Sequence, residues 1–169
     1  MTSLRDHLSA YAAYHHDTRN KITHFFGVPL VTFALFVLMG WFRFIPSPEV
    51  PFMSVATVFW LAVLLYYLRL DWGIALLVTP FTLALLWLAD RVALWPFQES
   101  ALVFLATFVL GWIIQLVGHA WEGRRPALTD NILQVFNAPL FLVAEALLFL
   151  GFRKDLHATL EVAPQSSPR

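Results

Sequence analysis

Five long, continuously apolar runs dominate the 169-residue chain and leave few ways to fold it. They extend from about Phe25 to Trp41, Phe52 to Leu68, Gly73 to Ala89, Ala101 to Val117 and Ile132 to Leu150. A helix that crosses the hydrocarbon core of a bilayer needs roughly 20 mostly apolar residues. Transmembrane β-strands would alternate apolar and polar residues, and these runs do not, so the pattern predicts helices. Composition agrees: 59% of residues are hydrophobic and 13% charged, where soluble domains carry about 45–50% and about 25%. A soluble protein of this size has too little interior to cover so much apolar surface. An ordinary soluble globule and a disordered chain are excluded. Eleven basic residues balance eleven acidic ones, so nothing points to a nucleic-acid partner. The chain has no Cys, which removes disulfides, thiolate catalysis and Cys-ligated metal centres. The first 24 residues are polar, contain four His and lack the order of a signal peptide.

The expected architecture is an all-α integral membrane bundle in one domain. Residues 1–24 form a His-rich interfacial segment with its own helix, residues 25–152 the bundle, and residues 153–169 a polar tail. Positive charge sets the crossing number. With four crossings, Arg5, Arg19, Lys21, Arg69, Arg124, Arg125, Arg153, Lys154 and Arg169 share one side, and only Arg43 and Arg91 lie opposite. A fifth crossing would erase most of that bias. The fifth run also contains the break Asn137-Ala138-Pro139, so it is expected to be re-entrant or to lie along the bundle. The cationic side is then cytoplasmic, in a bacterial inner membrane or, in a eukaryote, the endoplasmic reticulum. In this plan the start of the first span and the end of the fourth meet the same face of the bilayer.

Those two places hold the polar residues that need explaining. The N-terminal stretch YHHDTRNKITH crowds His15, His16 and His24 at the entrance of the first span. In one continuous helix His16, Asn20 and His24 form a stripe. Alternatively Asp17 and Thr18, both good N-caps, start a new helix and leave His15 and His16 at a corner. The second cluster, GHAWEGRRPALTDN, sets His119 and Glu122 at i, i+3, on one face if helical. Four imidazoles and a carboxylate at one interface suit Fe(II) or zinc. The blander alternative is interfacial His bonded to headgroups and water. Glu145, inside the fifth run, is an ionisable group in an apolar segment and a functional candidate by that fact. Arg124 and Arg125 are either topology charges or a clamp for a carboxylate. Asp71 and Asp90 read as span ends, Asn137 as a partner for backbone freed by Pro139, and Tyr11 and Tyr14 as interfacial-belt aromatics.

Taken together, YHHDTRNKITH with GVPL, QLVGHAWEGRRPALTDN and NAPLFLVAEALLFLGF resemble the membrane 2-hydroxy fatty acid dioxygenases, the family named for metabolism of phytosphingosine to odd-numbered fatty acids. The matching segments reach from about Tyr11 to Phe152. Asp17-Thr18 stands where family members often have Asn-Pro, and the spacing between His119 and Glu122 is the shorter of two found in the family. The resemblance implies an Fe(II)-dependent enzyme of fatty-acid α-oxidation. It would convert a long-chain 2-hydroxy fatty acid and O2 to the acid one carbon shorter and CO2. His15, His16, His24 and His119 look like the metal-site histidines. Asn20, Glu122 and Glu145 look like further motif residues, and Arg124 or Arg125 would hold the carboxylate. The competing functions are a zinc-dependent lipid hydrolase with Glu122 as base, and a membrane scaffold without catalysis.

Overall fold

A computed structural model describes residues 4–45, 49–123, 125–126, 136–152 and 156. The described residues form six helices: α1 (Leu4–Ala12), α2 (Thr18–Gly40), α3 (Val55–Leu70), α4 (Trp72–Val92), α5 (Phe97–Glu122) and α6 (Asn137–Phe149). One isolated antiparallel bridge, Arg43 to Ser54, is the extent of β-pairing among them. The chain divides into two compact units, one of Met1–Phe25 with Gln115–Arg169 and one of Phe26–Ile114, and the divisions fall inside α2 and α5.

Three helices, α2, α4 and α5, are long and apolar enough to cross a membrane. The plan of four crossings plus a re-entrant run is therefore not met. The second run begins late, because Phe52 takes a left-handed backbone (φ 61°) and Ser54 is extended ahead of α3. It ends at Leu70, two residues past the apolar run, where Asp71 is also extended (φ −160°, ψ 112°). The resulting 16-residue helix rises about 24 Å, short of the roughly 30 Å hydrocarbon core. Asp71 then caps α4, its Oδ1 accepting the Ile74 backbone N–H at 2.9 Å. The fifth run yields a helix of only 13 residues that starts at Asn137.

The spanning helices expose their apolar side chains. Only 11% of the most apolar window of α5 is buried, and Leu102, Leu105 and Ile113 are all more than half exposed. Such a continuous apolar surface is suited to lipid and not to water. Pro80 lies inside α4, and the hydroxyls on either side of it bond back to their own helix, Thr79 Oγ1 donating to the Ala75 carbonyl at 2.7 Å and Thr82 Oγ1 to that of Val78 at 3.0 Å.

In the unit Phe26–Ile114, the core is built from Phe36, Val37, Ala56, Leu86, Ala89 and Val92. Asp90 does more than end a span. Its Oδ1 accepts from Arg43 Nη1 at 2.6 Å, with the two side chains 1% and 5% exposed. Trp41 Nε1 donates to the buried Ser100 Oγ at 2.8 Å, and Trp60 Nε1 to Thr82 Oγ1 at 3.0 Å.

In the other unit α1 packs on α6. Leu4, Leu8, Tyr11 and Ala12 form its buried stripe, spaced as an amphipathic helix requires. A tightened turn ends α1, with Tyr14 N donating to Tyr11 O at 3.1 Å and His15 N to Ala12 O at 3.0 Å. Asp17 starts α2 by accepting the Arg19 backbone N–H at 2.8 Å, the bond of an N-cap. Of the two sequence geometries, the corner is the one formed. His16 lies outside the helix, so the stripe His16, Asn20, His24 is broken. The same unit brings α5 onto α2 at Gly118. A Cβ there would collide with Thr23 Oγ1 and Asn20 Oδ1 and lie 3.1 Å from Asn20 Cα.

Two outcomes follow from this packing. Gly118→Ala should destabilise the protein by about 1–3 kcal/mol through overpacking, read as a lower unfolding midpoint in mild detergent. Asp90→Ala leaves the Arg43 guanidinium buried without its partner and should cost about 3–5 kcal/mol in the same measurement. The double replacement Arg43→Met with Asp90→Leu should recover most of that loss, because it removes both charges together.

Candidate metal centre

Three histidines from distant stretches of chain meet inside the unit formed by the two chain ends. His15 stands at the corner between α1 and α2, His24 in the second turn of α2 and His119 in the last turn of α5. Each offers one ring nitrogen, and these atoms all lie within 4.8 Å of one another. Ring centroids are separated by 4.5 Å for His15 and His24, 5.1 Å for His15 and His119, and 5.0 Å for His24 and His119. All three residues are buried.

The hydrogen bonds fix the protonation of two of these rings. His15 Nδ1 lies 2.9 Å from the Tyr11 carbonyl oxygen, and His24 Nδ1 lies 2.9 Å from that of Asn20. A carbonyl oxygen only accepts, so each Nδ1 carries a proton and each Nε2 of a neutral ring presents a bare lone pair. Those two Nε2 atoms face each other at 3.2 Å. Lone pairs at that separation repel unless a cation lies between or beside them. An extra proton is a poor candidate, because burial, reinforced by His24, pushes the His15 imidazole from its ordinary 6.5 down to about 2. His119 Nδ1 is buried and has no hydrogen-bond partner. Neutral imidazoles oriented through Nδ1–H bonds to carbonyls, with their other nitrogens converging, are the donor set that a divalent transition metal takes. The residues present therefore fit a metal ion.

Aromatic rings wall the site. Tyr11 stacks on His15 with centroids 4.1 Å apart and planes 6° from parallel. Phe141 lies 4.9 Å from the Tyr11 ring and 5.8 Å from that of His15. Tyr11 is 5% exposed, so it is a core residue and not the interfacial-belt aromatic its sequence position suggested. Burial holds its phenol pKa above the ordinary value, which keeps it protonated.

Glu122 binds the turn that carries His15. Its Oε1 accepts the backbone N–H of His16 and, at 3.3 Å, that of Asp17, and its Oε2 accepts from Asn20 Nδ2. An anion at this position also suits the positive end of α2. Asn20, fully buried, links both layers: its side chain holds Glu122 and its carbonyl orients His24. His16 is not one of the three converging histidines, and its Nε2 is buried without a partner. Glu145 is not among the converging groups; its Oε1 accepts from Lys21 Nζ at 2.5 Å. Asn137 is buried at the start of α6. Arg125 is exposed, and Arg124 lies outside the described residues.

The sequence reading missed Lys21, Phe141 and Gly118. Lys21 had a signal in hindsight, being the lone Lys at the mouth of an apolar helix and three residues before His24. Phe141 and Gly118 had none, since their importance comes from which helices touch.

Comparison with known proteins bears on what this geometry serves. The family described as "Mpo1-like: 2-hydroxy-palmitic acid dioxygenase Mpo1-like" matches residues 1–150. The chain is 35% identical over 165 residues to the 2-hydroxy-palmitic acid dioxygenase MPO1 of Saccharomyces cerevisiae, covering 95% of this chain and 89% of that protein. No solved structure matches it. With nearly its whole length matched, and with the His15, His24 and His119 segments all inside that match, the chain belongs to the Mpo1-like family.

Proposed function

We propose that the protein is a membrane-embedded, Fe(II)-dependent dioxygenase of fatty-acid α-oxidation. Its reaction consumes a long-chain 2-hydroxy fatty acid and O2. The products are the fatty acid one carbon shorter, CO2 and water, which balances every atom. The observation that carries this reading is the convergence of His15, His24 and His119 in a chain whose family is named for a 2-hydroxy acid dioxygenase. An imidazole set accepts iron, as it does copper or zinc, and three protein donors leave coordination positions open; the choice of iron follows the dioxygenase name of the family. Iron in this set would supply a redox-active Lewis acid for the hydroxyl, the carboxylate and O2.

The chain's own residues do the rest. The carbonyls of Tyr11 and Asn20 keep His15 and His24 in the tautomer that points Nε2 inward. Glu122 and Asn20 act as positioning residues that hold the His15 turn against α2. Tyr11 and Phe141 keep bulk water from the His15 ring. The acyl chain has an apolar path along the helices, so substrate can enter from the bilayer. Arg124 and Arg125, just after Glu122, would draw the carboxylate toward the site. The His-bearing segments also carry Arg5, Arg19 and Lys21, the cationic character of a cytoplasmic membrane flank. We therefore assign the site to the cytoplasmic face.

The test is anaerobic purification in mild detergent, elemental analysis, and assay with 2-hydroxyhexadecanoic acid under O2. The expected result is bound iron and the C15 acid, with matched O2 consumption. His24→Ala and His119→Ala should each bring iron and product to background while the helical circular dichroism persists. Bound zinc with turnover independent of O2 would instead support a hydrolase. Iron with O2 but no shortened product would reject the substrate.

A further inference from the structure

Lys21 is a cation that the metal site does not account for. It lies in the first turn of α2, three residues before His24. Its ammonium sits 5.8 Å from the centroid of Phe141, and Phe141 is the ring that packs 5.8 Å from His15. Glu145 Oε1 holds Lys21 Nζ at 2.5 Å. The pair is not sealed in: the side chains of Lys21 and Glu145 keep 24% and 18% of their exposure.

An ammonium has three donors. One is used by Glu145, and two remain. A 2-hydroxycarboxylate brings the complementary need. Once one carboxylate oxygen and the hydroxyl face the three histidines, the second carboxylate oxygen is left with a negative charge and no partner. The three converging groups are neutral imidazoles, so they offer that oxygen nothing. Lys21 is a cation one aromatic ring removed from them, since the Phe141 ring that its ammonium approaches also packs near His15. Glu145 is then a positioning residue: it fixes a flexible four-carbon stem over Phe141 before substrate arrives.

We propose that Lys21, anchored by Glu145 and set against the Phe141 ring that packs near His15, receives the substrate carboxylate and makes the protein select 2-hydroxy acids over uncharged lipids of the same length. This inference rests on the proposed 2-hydroxy acid substrate. It assigns to Lys21 the recognition step, leaving Arg124 and Arg125 the approach.

The test compares two probes on the full-length protein in detergent, 2-hydroxyhexadecanoic acid and hexadecane-1,2-diol, which differ in the carboxylate. Equilibrium binding is read from tryptophan fluorescence on metal-free protein, and KM and kcat on the iron-loaded protein. Lys21→Met should weaken acid binding and raise KM by about tenfold to hundredfold, the loss of one charge-assisted hydrogen bond. Diol binding and iron content should not change. Lys21→Arg should restore part of the acid preference, and Glu145→Gln should weaken acid binding less than Lys21→Met does. Equal weakening of both probes by Lys21→Met would mean a structural role and overturn the proposal. So would wild-type acid binding in Lys21→Met. If the wild-type protein itself forms no shortened acid, the substrate reading fails first; if it does and Lys21→Met binds acid normally, only this inference falls.

Discussion

Two bare imidazole lone pairs facing each other at 3.2 Å are the constraint around which the rest of this unit is organised. That arrangement is unfavourable for two neutral rings at a buried site. It persists only if surrounding structure holds both rings in place. Each ring is locked through its other nitrogen to a backbone carbonyl, and each carbonyl belongs to a well-packed helix. The Tyr11 carbonyl is fixed because α1 buries Leu4, Leu8 and Tyr11 against α6. The Asn20 carbonyl is fixed because α5 presses on α2 where Gly118 has no side chain. A metal ion would be favoured here because the protein has already met the ordering cost of its ligands.

The third imidazole arrives by the same close approach. Gly118 directly precedes His119, and Glu122 follows one turn later on the same face. The glycine lets α5 come within van der Waals reach of α2, the histidine points at the other two rings, and the glutamate ties off the turn that carries His15. Three consecutive features of one short sequence thus serve one junction. Small residues that allow close helix approach, with polar side chains bridging the gap, are the usual means of joining helices in a membrane, where apolar burial gives little drive.

Much of this was legible in the sequence. Unbroken apolar runs declared a helical membrane protein, and Asp17 and Thr18 offered, as one of two geometries, the helix start that places His15 and His16 at a corner. The sequence paired the two polar clusters through a plan of four crossings, which the structure does not bear out, since three helices are long and apolar enough to span; His15, His24 and His119 nonetheless converge. The number of spanning helices was not legible. The second apolar run opens with Phe52 and Met53, yet a left-handed residue and an extended one delay α3 to Val55, and hydropathy does not see backbone dihedrals. Nor could the sequence separate His16 from His15, because that depends on where one helix stops. Glu145 was noticed as a carboxylate in an apolar run and Glu122 as the i, i+3 neighbour of His119, but their partners, Lys21 in one case and the His16 and Asp17 amides in the other, are set by tertiary packing.

The central claim is that these three imidazoles share one cation. The most direct measurement is a Co(II) titration of the metal-free protein, followed by ligand-field absorption, in the wild type and in His15→Ala, His24→Ala and His119→Ala. The account predicts one saturable band in the wild type and loss of that same band in all three variants. A wild-type band and affinity retained in any one of them would contradict it.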